Sequence, residues 1–151
     1  QDQIFYRIGM IQKQIGCSMM LVTHDISLVA ENCHQMVVMY AGKVMEYSDV
    51  AKILKTPCHP YTMGLKNAFP DVNRSRNEPL ISIPKSPPSL VDPPTHCRFY
   101  SRCPFGTPIC QEQEPKMSEV AEGHFAACHH WRKAEDLRKR SKRSETWEAF
   151  A

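Results

Sequence analysis

No stretch of the 151 residues approaches the roughly 20 consecutive apolar side chains that a membrane-spanning helix needs. Gln1 to Gly16 is polar and periodic, without a basic head and an apolar centre, so no secretory signal peptide is expected there. Charge of one sign is scarce. Nineteen basic against 16 acidic residues leave a formal net charge of +3, too mild to argue for nucleic acid by itself. Paired Cys-x-x-Cys spacings are missing, which removes the usual signature of a tight zinc finger. The odd total of seven cysteines suits a complete disulfide framework poorly. No internal repeat is visible. There is no initiating Met, although a helical pattern is under way at residue 1. The sequence therefore reads as a soluble, cytosolic fragment, in a compartment where thiols stay reduced and clustered cysteines more often hold metal.

What is present begins with a hydrophobic content of 42%, enough for a core, at a length that fits one domain or a smaller core with an appended module. Ile4, Ile8, Ile11 and Ile15 follow the period of an amphipathic helix, and Gly16 stops it. Ser18 to Thr23 is short and apolar without alternation, which predicts a strand buried on both faces of a parallel sheet. Asp25 to Asn32 reads as a helix. Met36 to Tyr40 and Val44 to Tyr47, joined by Ala41-Gly42-Lys43, read as a hairpin at a sheet edge. Ser48 can cap a short helix through Val50, Ile53 and Leu54 that Pro57 ends. Pro60 opens another, with Tyr61, Leu65, Ala68 and Phe69 on one face.

After Pro70 the composition changes. Seven of the twelve prolines lie between Pro70 and Pro94, which predicts an extended connector rather than helix or central strand. A stiff strap is preferred to an SH3-type ligand there. Cys97, Cys103, Cys110 and Cys128 follow, separated by five, six and seventeen residues. The end is helical in character and basic (Arg132, Lys133, Arg138, Lys139, Arg140, Lys142, Arg143, interrupted by Glu135 and Asp136), and a solvated terminus is expected in preference to a lipid- or RNA-binding one.

Two places carry chemistry. His24 directly follows the predicted strand, where open parallel sheets bind their ligands. There it can bond a phosphate oxygen, polarise a water, or cap the next helix. The four cysteines are open to three readings: an iron–sulfur cluster, zinc, or reduced or disulfide-paired thiols. Iron–sulfur sites are less tied to one spacing, since a cubane presents four corners that irregular loops can reach. Pro104 beside Cys103 leaves no N–H to satisfy there. Phe99, Tyr100 and Phe105 can exclude water, and Arg98 and Arg102 can offset thiolate charge. His96, His124, His129 and His130 keep a Cys/His zinc site open, with His129 and His130 the nearest substitutes. Cys17 and Cys33 read as small hydrophobes beside core elements, and Cys58 is unassigned.

LVTHDISLVAENCHQMVVMYAGKVMEYS, running from Leu21 to Ser48, resembles the end of an ABC-transporter ATPase domain, from its switch-histidine loop through its last hairpin. His59-Pro60-Tyr61-Thr62, then ISIPKSPPSLVDPP and CRFYSRCP, resemble the ATP-binding subunits of oligopeptide/dipeptide (and nickel) ABC importers. The resemblance spans Gln1 to about Trp131. It implies an α/β fold: residues 1–69 as the C-terminal part of a P-loop ABC ATPase domain and 70–131 as the family's four-cysteine extension; residues 132–151, beyond the resemblance, read from their composition as a flexible basic tail. It implies that His24 contacts the γ-phosphate and the attacking water at a site shared by two ATPase domains, with Asp25 supporting the helix start. It also implies a [4Fe–4S] cluster on Cys97, Cys103, Cys110 and Cys128, zinc remaining the alternative.

The family's phosphate loop, signature stretch and Asp-Glu strand are all missing from this sequence, so the chain alone is expected not to hydrolyse ATP. ATP and Mg²⁺ belong to the parent enzyme. The implied partners are a second ATPase subunit, transmembrane permease subunits and, indirectly, a solute-binding protein, at the cytoplasmic face of the inner membrane and without nucleic acid. The competing reading is a free-standing metal-binding interaction module that touches nucleic acid through its basic end. The order helix, buried strand, Thr23-His24-Asp25 argues against it.

Overall fold

The structure is a computed structural model, and it describes residues 2–68 and 81–150. It divides into two compact units, residues 1–34 and 35–151. Phe69, Pro70 and Pro79, which the sequence reading assigned to a helix face and to the connector, lie outside the described residues.

The first unit holds α1 (Asp2–Ile15) and α2 (Ile26–Asn32). The isoleucine stripe of α1 is formed, and Ile4, Ile11 and Ile15 on it are exposed. Gly16 ends the helix at φ +68°, a left-handed conformation that costs glycine little. Asp25 caps α2: its Oδ1 accepts the backbone N–H of Ser27 at 2.9 Å and of Leu28 at 3.3 Å. The parallel strand expected at Ser18–Thr23 is not formed, and Met20 and Val22 are 90% and 89% exposed. A buried strand needs hydrogen-bonding neighbours on its edges. The sheet among the described residues starts at Gln35 and is antiparallel throughout.

The second unit is built on that sheet, which has four strands in the order β1-β2-β4-β3. β1 (Gln35–Tyr40) and β2 (Lys43–Asp49) are the expected hairpin. Ala41 and Gly42 turn it with φ of 48° and 77°, the paired positive values of a two-residue turn whose twist matches the strands. β1 alternates strictly, with Met36, Val38 and Tyr40 inward. α3 (Val50–Lys55) buries Val50 and Ile53, and α4 (Pro60–Ala68) begins on a proline, where a missing N–H costs nothing. A short α5 (Pro108–Glu112) and the hairpin β3 (Ser118–Ala121) and β4 (His124–Ala126) follow.

The basic end, expected as a flexible tail, is instead α6 (Ala134–Ser141) and α7 (Ser144–Glu148). Leu137 and Trp147 sit in the core, and Trp147 Nε1 donates to Ser141 O at 2.9 Å. α4 and α6 are tied by Asn67 Nδ2 donating to Ser141 O at 2.7 Å. Residues 81–96 take neither helix nor strand. Their path is held by Arg102, whose Nε donates to Pro84 O at 2.7 Å and whose Nη2 donates to Ile83 O at 3.1 Å. One core runs through the second unit, from Tyr40, Met45 and Met63 to Phe99, Phe105, Leu137 and Trp147.

Candidate metal centre

Cys97, Cys103 and Cys110 lie in that core and Cys128 is buried as well; each is less than a tenth exposed and none is in a disulfide. Their backbones reach it by different routes. Cys97 and Cys103 bracket a 3₁₀ turn at Tyr100–Arg102, Cys110 lies in α5, and Cys128 follows β4. Cys97 N donates to Cys110 O at 3.1 Å, which clips two of these segments together.

Cys97, Cys103 and Cys128 each feel the charge of neighbouring thiols, which disfavours their thiolate forms. Burial pushes the Cys103 thiol well above its ordinary pKa and the Cys128 thiol up to about 12, and the neighbouring thiols act in the same direction. The Cys97 thiol is raised for the same first reason. Such thiols stay protonated and inert as nucleophiles. A cation that takes the place of their protons removes both the desolvation cost and the mutual repulsion.

Hydrogen bonds into the sulfurs oppose the rise. In three cases the donor is the backbone N–H two residues on: Phe99 to Cys97, Phe105 to Cys103, and His130 to Cys128, the last at 3.4 Å. Pro104 has no N–H, so the first amide after Cys103 is that of Phe105, turned to the sulfur. Cys110 Sγ faces His130 Nε2 at 3.5 Å and Thr107 Oγ1 at 3.7 Å. Three sulfurs thus have an amide hydrogen beside them and Cys110 has a hydroxyl and an imidazole within reach, the outer-shell feature that orients thiolate ligands and spreads their charge. Phe99 and Phe105 are buried beside the cysteines, and Phe99 packs on Tyr40 and Tyr61 with both ring centroids at 5.3 Å. Four buried thiols, amide donors and an aromatic wall fit an iron–sulfur core.

The arginines expected to offset thiolate charge have other partners. Arg102 holds the 83–84 carbonyls, and Arg98 Nη1 donates to Ala41 O. Of the neighbouring histidines, His130 reaches a sulfur, while His129 Nε2 lies 3.1 Å from Gln113 O and His96 Nδ1 3.2 Å from Cys97 O. His124 faces Glu46 instead. His24 is exposed in the first unit, one residue before the Asp25 cap.

Sequence reading missed Glu46, which is fully buried, and left Cys58 unassigned. A glutamate on an inward position of β2 was the available signal. Burial, and after it the Glu46 charge, pushes the Cys58 thiol up to about 11. His59, beside it, is held neutral by burial, down at about 4, and its Nδ1 accepts the Tyr61 N–H at 3.0 Å.

Residues 45–110 match the family model described as oligopeptide/dipeptide transporter, C-terminal region. Over 135 residues, 89% of its length, the chain is 42% identical to a probable peptide ABC transporter ATP-binding protein of Sinorhizobium fredii. It is 41% identical over 83% of its length to the dipeptide transport ATP-binding protein of Lactococcus lactis. It is 38% identical over 86% of its length to the protein of that name in Escherichia coli. The chain spans 40%, 36% and 39% of these relatives' lengths.

Proposed function

From the match of residues 45–110 to the oligopeptide/dipeptide transporter C-terminal region, we propose that the chain forms the C-terminal part of the ATP-binding subunit of a peptide (or nickel) ABC importer. The observation that carries this reading is the 89% of the chain that aligns with a peptide transporter's ATP-binding protein. ATP with Mg²⁺ closes two such subunits on one another, and hydrolysis reopens them, at the cytoplasmic face of the inner membrane against permease subunits that receive solute from a binding protein. His24 is this chain's contribution to the nucleotide. Its imidazole contacts the γ-phosphate and the attacking water, stabilising charge that develops in transfer. The exposure of His24 ahead of a capped helix is compatible with a site shared with a second subunit. Without a phosphate loop the chain alone binds and hydrolyses no ATP.

His24→Ala in the full-length subunit is expected to lower ATP turnover by about 10²-fold, the scale of losing one charge-stabilising donor, while nucleotide still binds. Unchanged turnover overturns the assignment.

Cys97, Cys103, Cys110 and Cys128 are proposed to hold a [4Fe–4S] cluster, which supplies four metal–thiolate bonds to a core that has only thiols there. The protein's part is to bury the four sulfurs and donate hydrogen bonds to them. Purified without oxygen, the chain is expected to be brown, with about four iron and four labile sulfide. Stoichiometric zinc in a colourless protein is the result that defeats this.

A further inference from the structure

A second group of metal-ligating atoms lies in the second unit, apart from the four cysteines. Glu46 on β2 is opposite Ala126 on β4, so Glu46 and His124, two residues from Ala126, are diagonal neighbours on one face of the sheet. His124 Nε2 is 2.6 Å from Glu46 Oε1, with both side chains almost wholly removed from solvent. The loop between α3 and α4 brings Cys58 to the same place. One ligand atom each from Glu46, Cys58 and His124 lie within 4.8 Å of one another.

We infer that Glu46, Cys58 and His124 form a divalent-cation site of the zinc class, with three protein ligands and a fourth position open to water or an exogenous ligand. The donor set is one carboxylate oxygen, one thiol sulfur and one imidazole nitrogen. That mixture suits zinc and its borderline neighbours, whereas magnesium and calcium take oxygen. The spread of the three atoms is of the size that bonds of about 2.0–2.3 Å to one central ion require.

The carboxylate is already oriented as a ligand. Oε1 accepts the Cys58 N–H at 2.7 Å and Oε2 accepts the His59 N–H at 3.0 Å. These backbone donors hold both oxygens in place, as outer-shell partners of metal ligands do. With His124, three of about four acceptor directions on the carboxylate are engaged, so the ion enters by displacing the hydrogen between Nε2 and Oε1. On binding, Cys58 gives its thiol proton to solvent. The imidazole proton moves to Nδ1, and lone pairs of sulfur, Nε2 and a carboxylate oxygen form the three bonds. Arg138 lies against the Cys58 sulfur as a hydrogen-bond partner and favours the thiolate. The alternative occupant is the proton alone, with the trio acting as a hydrogen-bonded strut between sheet and loop.

The test uses the full chain with the content of the four-cysteine site measured as iron, sulfide and zinc, and Co²⁺ as the titrant. The chain is expected to take one equivalent more than Cys58→Ala, with the four-cysteine content equal in both. Because only that difference is read, the result stands apart from the identity of the other metal. For the variant, affinity at this site is expected to fall at least about 100-fold, beyond the loss from changing an outer-shell partner. Cys58 is partly exposed, so Cys58→Ala is not expected to disturb the fold. His124→Gln, wherever circular dichroism shows it folded, loses the same equivalent. Equal Co²⁺ uptake by the chain and Cys58→Ala, or retained uptake in folded His124→Gln, overturns the site.

Discussion

Glu46 is the side chain on which the second unit turns most sharply. It is a fully buried carboxylate whose oxygens meet the N–H groups of Cys58 and His59 and the ring of His124. Removing it leaves two backbone donors and a buried imidazole without an acceptor, the circumstance in which a lost partner costs most. Glu46→Ala is expected to destabilise the second unit by about 3–5 kcal/mol, read as a fall in the urea midpoint with an unchanged slope. A loss below about 1 kcal/mol, the size of one ordinary hydrogen bond, refutes the role given to it. Gly64 has a different vulnerability. A Cβ there would stand 2.7 Å from Ile83 Cγ1 and 2.8 Å from Trp147 Cη2, closer than side chains pack. Trp147 is anchored at its ring nitrogen and cannot slide away at no cost. Gly64→Ala is expected to cost about 1–3 kcal/mol by overpacking, although alanine is the better helix former in the middle of α4. Thermal unfolding of the variant gives the sign directly.

At the scale of elements, the patterns that local chemistry dictates were legible and those that depend on distant partners were not. The hairpin Gln35–Asp49 follows from its own residues: alternation in β1 and a glycine that accepts positive φ at the turn. The starts of α2 and α4 were equally local, set by the Asp25 cap and by Pro60 as first helical residue. Ser18–Thr23 looked like a buried strand because it is apolar, but apolar composition supplies no hydrogen-bonding neighbour. The basic end misled in the opposite way. Lys139 and Arg140 are exposed on α6 while Arg138 Nη1 donates to Pro57 O, and the buried face rests on Ala134, Leu137 and Ser141, too few apolar residues to show from sequence that a stretch of helical character packs on a core. The four cysteines could be named from sequence, whereas the amide two residues beyond three of them could not, since it depends on how the turn is wound. α7 tests the packing of that end. Its one large buried side chain is Trp147, whose ring meets Phe105 edge-on at 6.4 Å. Trp147→Ala is expected to cost about 3–5 kcal/mol and to leave α1 and α2 unaffected within their own unit. A variant as stable as the parent returns residues 142–150 to the status of a solvated terminus.

For the molecule as a whole, the position of the four cysteines has a consequence for folding. Among the described residues no helix is long and apolar enough to cross a membrane, and the buried hydrophobic side chains all belong to the second unit. In the second unit Cys97, Cys103 and Cys110 share one core with residues from β1, β2, α4, α6 and α7. The metal proposed for the four cysteines would be bound by the folded second unit and not by an appendage. Anything that binds the folded state alone adds its binding free energy to stability. Without that metal the four buried thiols carry protons, and three of the sulfurs still face amide donors. The metal-free chain is therefore expected to melt at least about 10 °C below the metal-loaded chain, the shift that roughly 2 kcal/mol produces in a domain of this size. Trp147 fluorescence reports the change, because its ring lies in the same core. Adding a chelator to the loaded protein, then iron and sulfide or zinc to the stripped protein, should lower and restore the transition in turn. Identical melting with and without metal would show that the cysteines hold their places by packing alone.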